Sequence, residues 1–314
     1  MTTPHNTIGF FIIDKPPGLT SHDVVGQIRK LTGIKRVGHT GTLDPFATGV
    51  LIMPIGSATR LTEYTHSLPK TYEAEMSLGA TSNTNDPTGQ ITPTHGTPQG
   101  CTMGEVEQTL QKFIGEIQQV PPAYAAIKVK GKKLYQYARQ GKEVEIKPRS
   151  VTIHSIELLA YAYPIIKIRA TVSSGTYIRA LARDIGESLK TGAYVSTLRR
   201  TAIGTFTIQE AKKLSTITAE NWPQHLHNPK DLVSHLPQVK LDDVNVAKLQ
   251  QGREVQASSP DKGRLGGVVF SRMQPPLSPL SGGVAVLNQQ DELIGIATFN
   301  PETSSLSPQT IFPY

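Results

Sequence analysis

One carboxylate stands out for the company it keeps. Asp44 lies in Gly38-His39-Thr40-Gly41-Thr42-Leu43-Asp44-Pro45-Phe46-Ala47-Thr48-Gly49-Val50-Leu51, a Gly- and Thr-rich turn between a basic helix and an apolar strand. Glycine allows backbone geometries that other residues resist, while Pro45 fixes its own φ and biases Asp44 away from helix. Such a turn can hold an acid at the mouth of a cleft, where a carboxylate can act as a nucleophile. The plainer use of an Asp-Pro step is to satisfy turn amides. Spacing alone favours that plainer use.

Other groups gain meaning beside Asp44. Tyr72 shares the apolar face of an alternating run with Ala74 and Met76, as a core aromatic or a base-stacking platform. Arg179 and Arg183 lie one turn apart on a helical pattern and off its apolar stripe, so both can face a cleft or solvent. A guanidinium beside Asp44 would keep that carboxylate ionised. Lys128, Lys130, Lys132, Lys133, Arg139, Lys142, Lys147 and Arg149 face only Glu143 and Glu145 across one segment, an excess close to the +7 of the whole chain. Tyr124, Tyr135 and Tyr137 interleave with them, the mixture that phosphate neutralisation and base stacking need. Arg199 and Arg200 suit phosphate contacts or plain surface charge.

The elements that must position these groups are legible as a mixed pattern. Phe10–Ile13 and Val50–Met53 read as buried strands, and Thr71–Leu78 alternates cleanly. Ser21 can cap a helix carrying Val24, Val25, Ile28 and Leu31. Thr102 and Glu105 have capping-box spacing ahead of Val106, Leu110, Phe113 and Ile114. Val151–Tyr161 and Ile165–Ser173 look like paired strands; Ile178, Leu181, Ala182, Ile185 and Leu189 form a helical stripe. Without a regular βαβ period, the fold class is α+β. Thr218–Pro237 is polar with scattered prolines and histidines and reads as a linker. Beyond it, Gly267–Phe270, Val284–Leu287 and Leu293–Ala297 are strands of a small β-rich second domain.

Composition narrows the classes. A chain of 314 residues is long enough for more than one domain, and a pI near 9.3 suits a polyanionic partner. Cys101 is the single cysteine, which excludes an internal disulfide and argues against structural zinc or a zinc deaminase. The Gly-rich turn lacks the Gly-Lys-Ser/Thr ending of a P-loop. No stretch reads as a signal peptide or membrane span, so a soluble, cytoplasmic protein is expected.

The fourteen-residue Asp44 block closely resembles the catalytic motif of the TruB family, the tRNA pseudouridine-55 synthases. Lys70-Thr71-Tyr72-Glu73-Ala74, Ser173 to Asp184 and Asp14 to Ser21 are similar to further motifs, in family order through the first two-thirds of the chain. The resemblance implies the pseudouridine-synthase fold, with a central, mainly antiparallel sheet and a catalytic cleft, followed by a small PUA-like domain. It implies a catalytic unit at 1–235, a thumb-like RNA-binding segment at about 120–150, and the PUA-like domain at 236–314. It further implies isomerisation of one uridine in the T loop after base flipping, with Asp44 as nucleophile, on the sugar or on the base. Tyr72 would stack on the target base; Tyr177 and Arg179 would line the pocket, the arginine pairing with the aspartate. Leu198 would pack against the uracil, and His39 would contact the RNA. Lys128, Lys130, Lys132, Arg139 and Arg199 are candidate RNA contacts. Phe46 replaces the family's usual leucine, and Val172 stands where a cysteine is frequent. No metal or other cofactor is called for, and the T-stem loop is the expected partner, bound by a monomer without guide RNA. A non-catalytic tRNA-binding or folding chaperone is the alternative.

Overall fold

The computed structural model describes residues 7–94, 101–125, 127–129, 131–134, 137, 140, 144–256, 269–271 and 283–312. Its main sheet is built from β1 (Gly9–Lys15), β2 (Thr48–Ile55), β3 (Lys70–Leu78), β4 (Gly115–Gln119), β5 (Arg149–Ala162), β6 (Ile165–Val172) and β7 (Ala193–Ile203). The order is Lys212–Lys213, β1, β2, β7, β3, β6, β5, β4, with Phe206–Thr207 pairing β7 to complete nine strands. Pairing is mainly antiparallel; β2 runs parallel to β7, and Lys212–Lys213 parallel to β1. The expected α+β architecture is therefore present.

The run Phe10–Ile13 is continuous because both faces of β1 are covered. Phe11 and Ile13 pack with Val24, Val25 and Ile28 of helix α1 (Ser21–Thr32), while Phe10 and Ile12 pack toward a second sheet. Alternation in β3 is reproduced: Ala74, Met76 and Leu78 are buried, with Glu73, Glu75 and Ser77 between them less so. Helices α2 (Met103–Gln111) and α3 (Ile178–Ser188) contribute Val106, Leu110, Leu181 and Ile185 to the same core. The capping box of Thr102 and Glu105 forms as expected. Phe113 and Ile114 fall beyond the end of α2.

Two expectations are corrected. Thr20, not Ser21, caps α1, because its hydroxyl accepts from Asp23 N while Asp23 Oδ2 accepts from Thr20 N at 2.8 Å. Ser21 is the first helical residue and is buried elsewhere. Thr218–Pro237 is no linker: Trp222, Leu232 and Val233 are buried, and Phe10 and His227 exchange backbone hydrogen bonds of 3.2 and 2.8 Å. Three apolar side chains bury a segment whose average polarity suggests exposure, because the few residues that touch the core decide its path.

The second sheet has six strands in the order Val255–Gln256, Ser305–Ile311, Leu293–Asn300, Val284–Leu287, Gln238–Lys240 and Val269–Ser271. One cluster joins both sheets: Phe10, Ile12, Val50 and Ile52 meet Leu61, Leu232, Ala285, Leu287 and Ile296. Burying each large side chain in this seam is worth about 1.5–3 kcal/mol as an upper bound. The Pro-, Ser- and Gly-rich stretch 275–283, between the second-domain strands, lies almost wholly outside the described residues, as does the first half of the expected strand Gly267–Phe270. Among those residues, no helix is long and apolar enough to cross a membrane.

Candidate active site

The Asp44 turn is anchored on three sides. Ser21 Oγ accepts from Leu43 N at 2.9 Å and donates to Leu43 O at 3.3 Å, fixing the residue before the acid. Lys15, fully buried, donates to Pro16 O, Leu19 O and Pro45 O at 2.9, 2.7 and 3.3 Å, fixing the residue after it. Gly49 lets β2 leave the turn alongside β7. Its φ is +104°, and a Cβ there would stand 2.1 Å from Arg200 O, so another side chain would push the strands apart.

Arg179, in the first turn of α3, meets this turn. Its Nε lies 2.9 Å from Asp44 Oδ2, and its Nη2 donates to Asp44 Oδ1 at 3.2 Å. The Nε contact is an ion pair without the alignment of a hydrogen bond. Nη1 donates to Asp86 Oδ2 at 2.9 Å and Thr84 O at 3.0 Å; Nη2 also reaches Tyr124 O at 3.3 Å. A planar fork serves two carboxylates at once, which an ammonium cannot do with the same geometry. Asp86 is held in turn by Thr84 Oγ1 at 2.7 Å and Thr88 N at 3.0 Å. Arg179 is 4 % exposed, while Asp44 keeps 32 % exposure and lines a cavity.

That cavity measures about 340 Å³ and brings together Asp44, Tyr72, Tyr177, Arg179 and Leu198. Five residues from a turn, two strands and one helix start thus share one wall-to-wall space. Burial pushes the Asp44 carboxyl above the usual carboxylate range; Arg179 pulls against that rise, and Asp86 adds to it. Burial also raises the Tyr177 hydroxyl, against the pull of Arg149. Lys15 is brought down to about 8 by burial, with Asp44 opposing.

Other expected site residues fall elsewhere. His39 flanks the turn without lining the cavity: its Nδ1 accepts from Gly41 N at 3.4 Å, its ring lies 6.0 Å from that of His22, and burial lowers its pKa to about 4. It is neutral at ordinary pH. Arg183 leaves the site, its Nη2 donating to Val120 O at 3.0 Å. Arg199 points away from the cavity and pairs with Asp14 through both terminal nitrogens, at 3.0 and 2.8 Å. Strand alternation turns Leu198 and Arg200 inward instead, and Arg200 is buried. Lys128 and Lys132 lie in a short hairpin, Lys128–Val129 against Lys132–Lys133. Lys130 and Arg139 lie outside the described residues.

Two residues escaped the sequence reading. Asp86 is the only charged side chain in the polar Thr81–Gly89 loop, a signal in retrospect. Gln119 is 1 % exposed and clasps Tyr177, accepting from its N–H at 2.8 Å and donating to its carbonyl at 3.2 Å. Its place on a strand face where an apolar residue is expected was the only hint. Among the described residues, no cluster of three or more metal-ligating side chains forms.

Fold and site now define a class. An H/ACA ribonucleoprotein bound to a substrate RNA containing 2′-deoxyuridine is similar over 98 % of this chain and 85 % of that one, at 25 % identity and a TM-score of 0.72. The fold is the pseudouridine-synthase fold. Residues 29–178 match the TruB family pseudouridylate synthase N-terminal domain, and 179–245 the tRNA pseudouridylate synthase B C-terminal domain. Two curated relatives bear the name tRNA pseudouridine synthase B. One, from Azoarcus sp. (strain BH72), is 42 % identical over 81 % of this chain and 85 % of its own. The other, from Dehalococcoides mccartyi, is 43 % identical over 79 % of this chain and 83 % of its own. The chain belongs to the TruB family of pseudouridylate synthases.

Proposed function

We propose that the protein converts the uridine at position 55, in the T loop of tRNA, to pseudouridine, with Asp44 as nucleophile. The observation that carries this reading is the Asp44–Arg179 pair opening on a cavity of about 340 Å³, in the size range of small-molecule sites. The reaction breaks the N1–C1′ bond, forms a C5–C1′ bond and moves one proton from C5 to N1. Nothing is added or lost, and no electrons are exchanged with an outside donor. A covalent bond to a carboxylate divides the difficult step and retains the pieces while the base turns. Attack on C1′ or on C6 of the base both require ionised Asp44, which Arg179 favours.

Tyr72 offers an aromatic face to a flipped base, and Leu198 an apolar wall. Gln119 keeps Tyr177 and the start of α3 in place. His39, beside the Asp44 turn, contacts the loop of the RNA as a neutral imidazole. Lys128, Lys130, Lys132 and Arg139 supply phosphate neutralisation from the thumb-like segment; Arg199, held by Asp14, has little to give. The relatives named tRNA pseudouridine synthase B support tRNA as substrate. The reading extends to a catalytic unit at 1–235 and a PUA-like RNA-binding domain at 236–314, working as a cytoplasmic monomer without guide RNA.

The test is pseudouridine formation in an unmodified tRNA transcript, with wild type compared to Asp44→Ala and no cofactor added. Activity in the wild type and none in a folded, tRNA-binding variant supports the isomerase and its nucleophile together. No activity in either, with tight tRNA binding, leaves a folding chaperone.

A further inference from the structure

The cleft holds more positive charge than its carboxylates neutralise. Arg179 is answered by Asp44 and Asp86. Lys70 and Arg200 are also buried and line the same cavity, yet among the described residues their hydrogen-bond partners are backbone carbonyls alone. Lys70 Nζ donates to His66 O at 2.9 Å and Leu68 O at 2.7 Å, leaving one N–H unused. Arg200 Nε donates to Val50 O at 2.8 Å and Nη2 to Gly41 O at 3.1 Å, while Nη1 bonds to no described residue. Burial and the charge of Arg200 together bring Lys70 down to about 8, so the two cations repel one another. Two buried like charges without a counter-ion are expensive, and their cost falls when an anion arrives.

A hydroxyl points the same way. Thr40 is 1 % exposed, lines this cavity, and its Oγ1 has no hydrogen-bond partner among the described residues. Its backbone is tied to β2 through Thr40 N donating to Ile52 O at 3.1 Å, so the side chain is held in place. At the next residue, a Cβ would stand 3.7 Å from Arg200 Nη1; glycine leaves that flank of the guanidinium uncovered.

We infer that Lys70, Arg200 and Thr40 form a subsite for one phosphodiester of the RNA strand, next to the nucleotide that meets Asp44. The inference rests on the proposed uridine isomerisation for the identity of the strand. A phosphodiester carries one negative charge over two non-bridging oxygens, enough to engage the guanidinium, the ammonium and the hydroxyl together. The carbonyl oxygens of a uracil are neutral and would leave both cations uncompensated. A phosphate seated here fixes the backbone, and thereby the depth to which the flipped base enters.

Binding of a T-arm RNA to the full-length protein, titrated at several salt concentrations, tests the subsite. Lys70→Met is expected to weaken affinity about tenfold or more and to lower the salt slope by about one, with Lys70→Arg restoring most of both. Thr40→Val, an isosteric change, is expected to weaken affinity several-fold while its melting temperature stays level or rises, because an unpartnered buried hydroxyl is removed. RNAs with single methylphosphonates around the target uridine add the strand's side. At one position the neutral linkage should weaken wild-type binding about tenfold and leave Lys70→Met unaffected. Wild-type affinity in both variants, or methylphosphonate effects equal in wild type and Lys70→Met, overturns the subsite. Should Lys70→Met fail to fold, Thr40→Val against the same RNAs decides. Wild type that binds but forms no pseudouridine sinks the proposed reaction alone, while the titrations still decide the subsite. Absence of any RNA binding by wild type overturns both.

Discussion

The seam between the two sheets and the floor of the cleft are both closed to bulk water, but they are built from opposite materials. The seam is mainly apolar: Ile12, Ile52, Leu232, Leu287 and Ile296 meet with almost no exposed area, and the Tyr64 hydroxyl is a rare polar atom among them. The cleft buries Arg179, Arg200, Lys70 and Lys15 beside two carboxylates. Apolar contacts need only shape and volume, so the seam stabilises without specifying chemistry. Buried ions need particular partners at particular distances, so the cleft specifies chemistry at a cost in stability. The same β2 serves both, with Val50 and Ile52 in the seam and Gly49 at the edge of the cleft.

The comparison breaks if substitutions in the two places behave alike. Asp44→Asn should lower turnover by at least about 10⁴-fold with little change in melting temperature; single-turnover assays on tRNA transcript read the first and calorimetry the second. Arg179→Met should cost about 3–5 kcal/mol of stability as well as activity, because it strands Asp86 in a buried site; denaturant titration reads the loss. Leu287→Ala, in the seam, should cost about 2–5 kcal/mol while leaving kcat of the folded fraction near wild type. A large fall in kcat there would mean that the seam also shapes the site. The acid limb of activity should lie above the usual carboxylate range, since burial raises Asp44. The sign matters: a folded-state pKa above the unfolded one favours the proton in the fold, so acidification quenches activity without loss of stability at this group. Rate and melting profiles against pH that fall together would contradict it. Gln119→Leu is the mildest change, removing the clasp on Tyr177 for about 1 kcal/mol and a few-fold in kcat.

Sequence patterns carried the parts ruled by local physics. The continuous run of β1, the alternation of β3 and the Thr102–Glu105 box are each written within a few consecutive residues, and all formed. Asp44, Tyr72, Tyr177, Arg179 and Leu198 were nameable through their motifs, and they line one cavity. What escaped was decided at a distance. Ser21 looked like a cap because its type suits one, yet Leu43, 22 residues on, claims it. Arg199 and Arg200 are indistinguishable by type; the pleat of β7 alone sends one to Asp14 and the other into the cleft. Thr218–Pro237 has too few apolar residues to register as core, although Trp222, Leu232 and Val233 suffice to bury it.

Arg179 also bears on time. Its partners at Asp44, Asp86, Thr84 and Tyr124 lie 135, 93, 95 and 55 residues away along the chain. Closing such long loops costs entropy and is slow relative to local structure. The guanidinium can reach all four only after the loops carrying them have been brought together by the elements that flank them. Competence therefore arrives at the end of folding: a growing or half-folded chain holds the acid and the arginine but has not yet brought them together. In a refolding experiment, recovery of turnover should trail recovery of secondary structure, making the enzyme's own activity a clock for its completion.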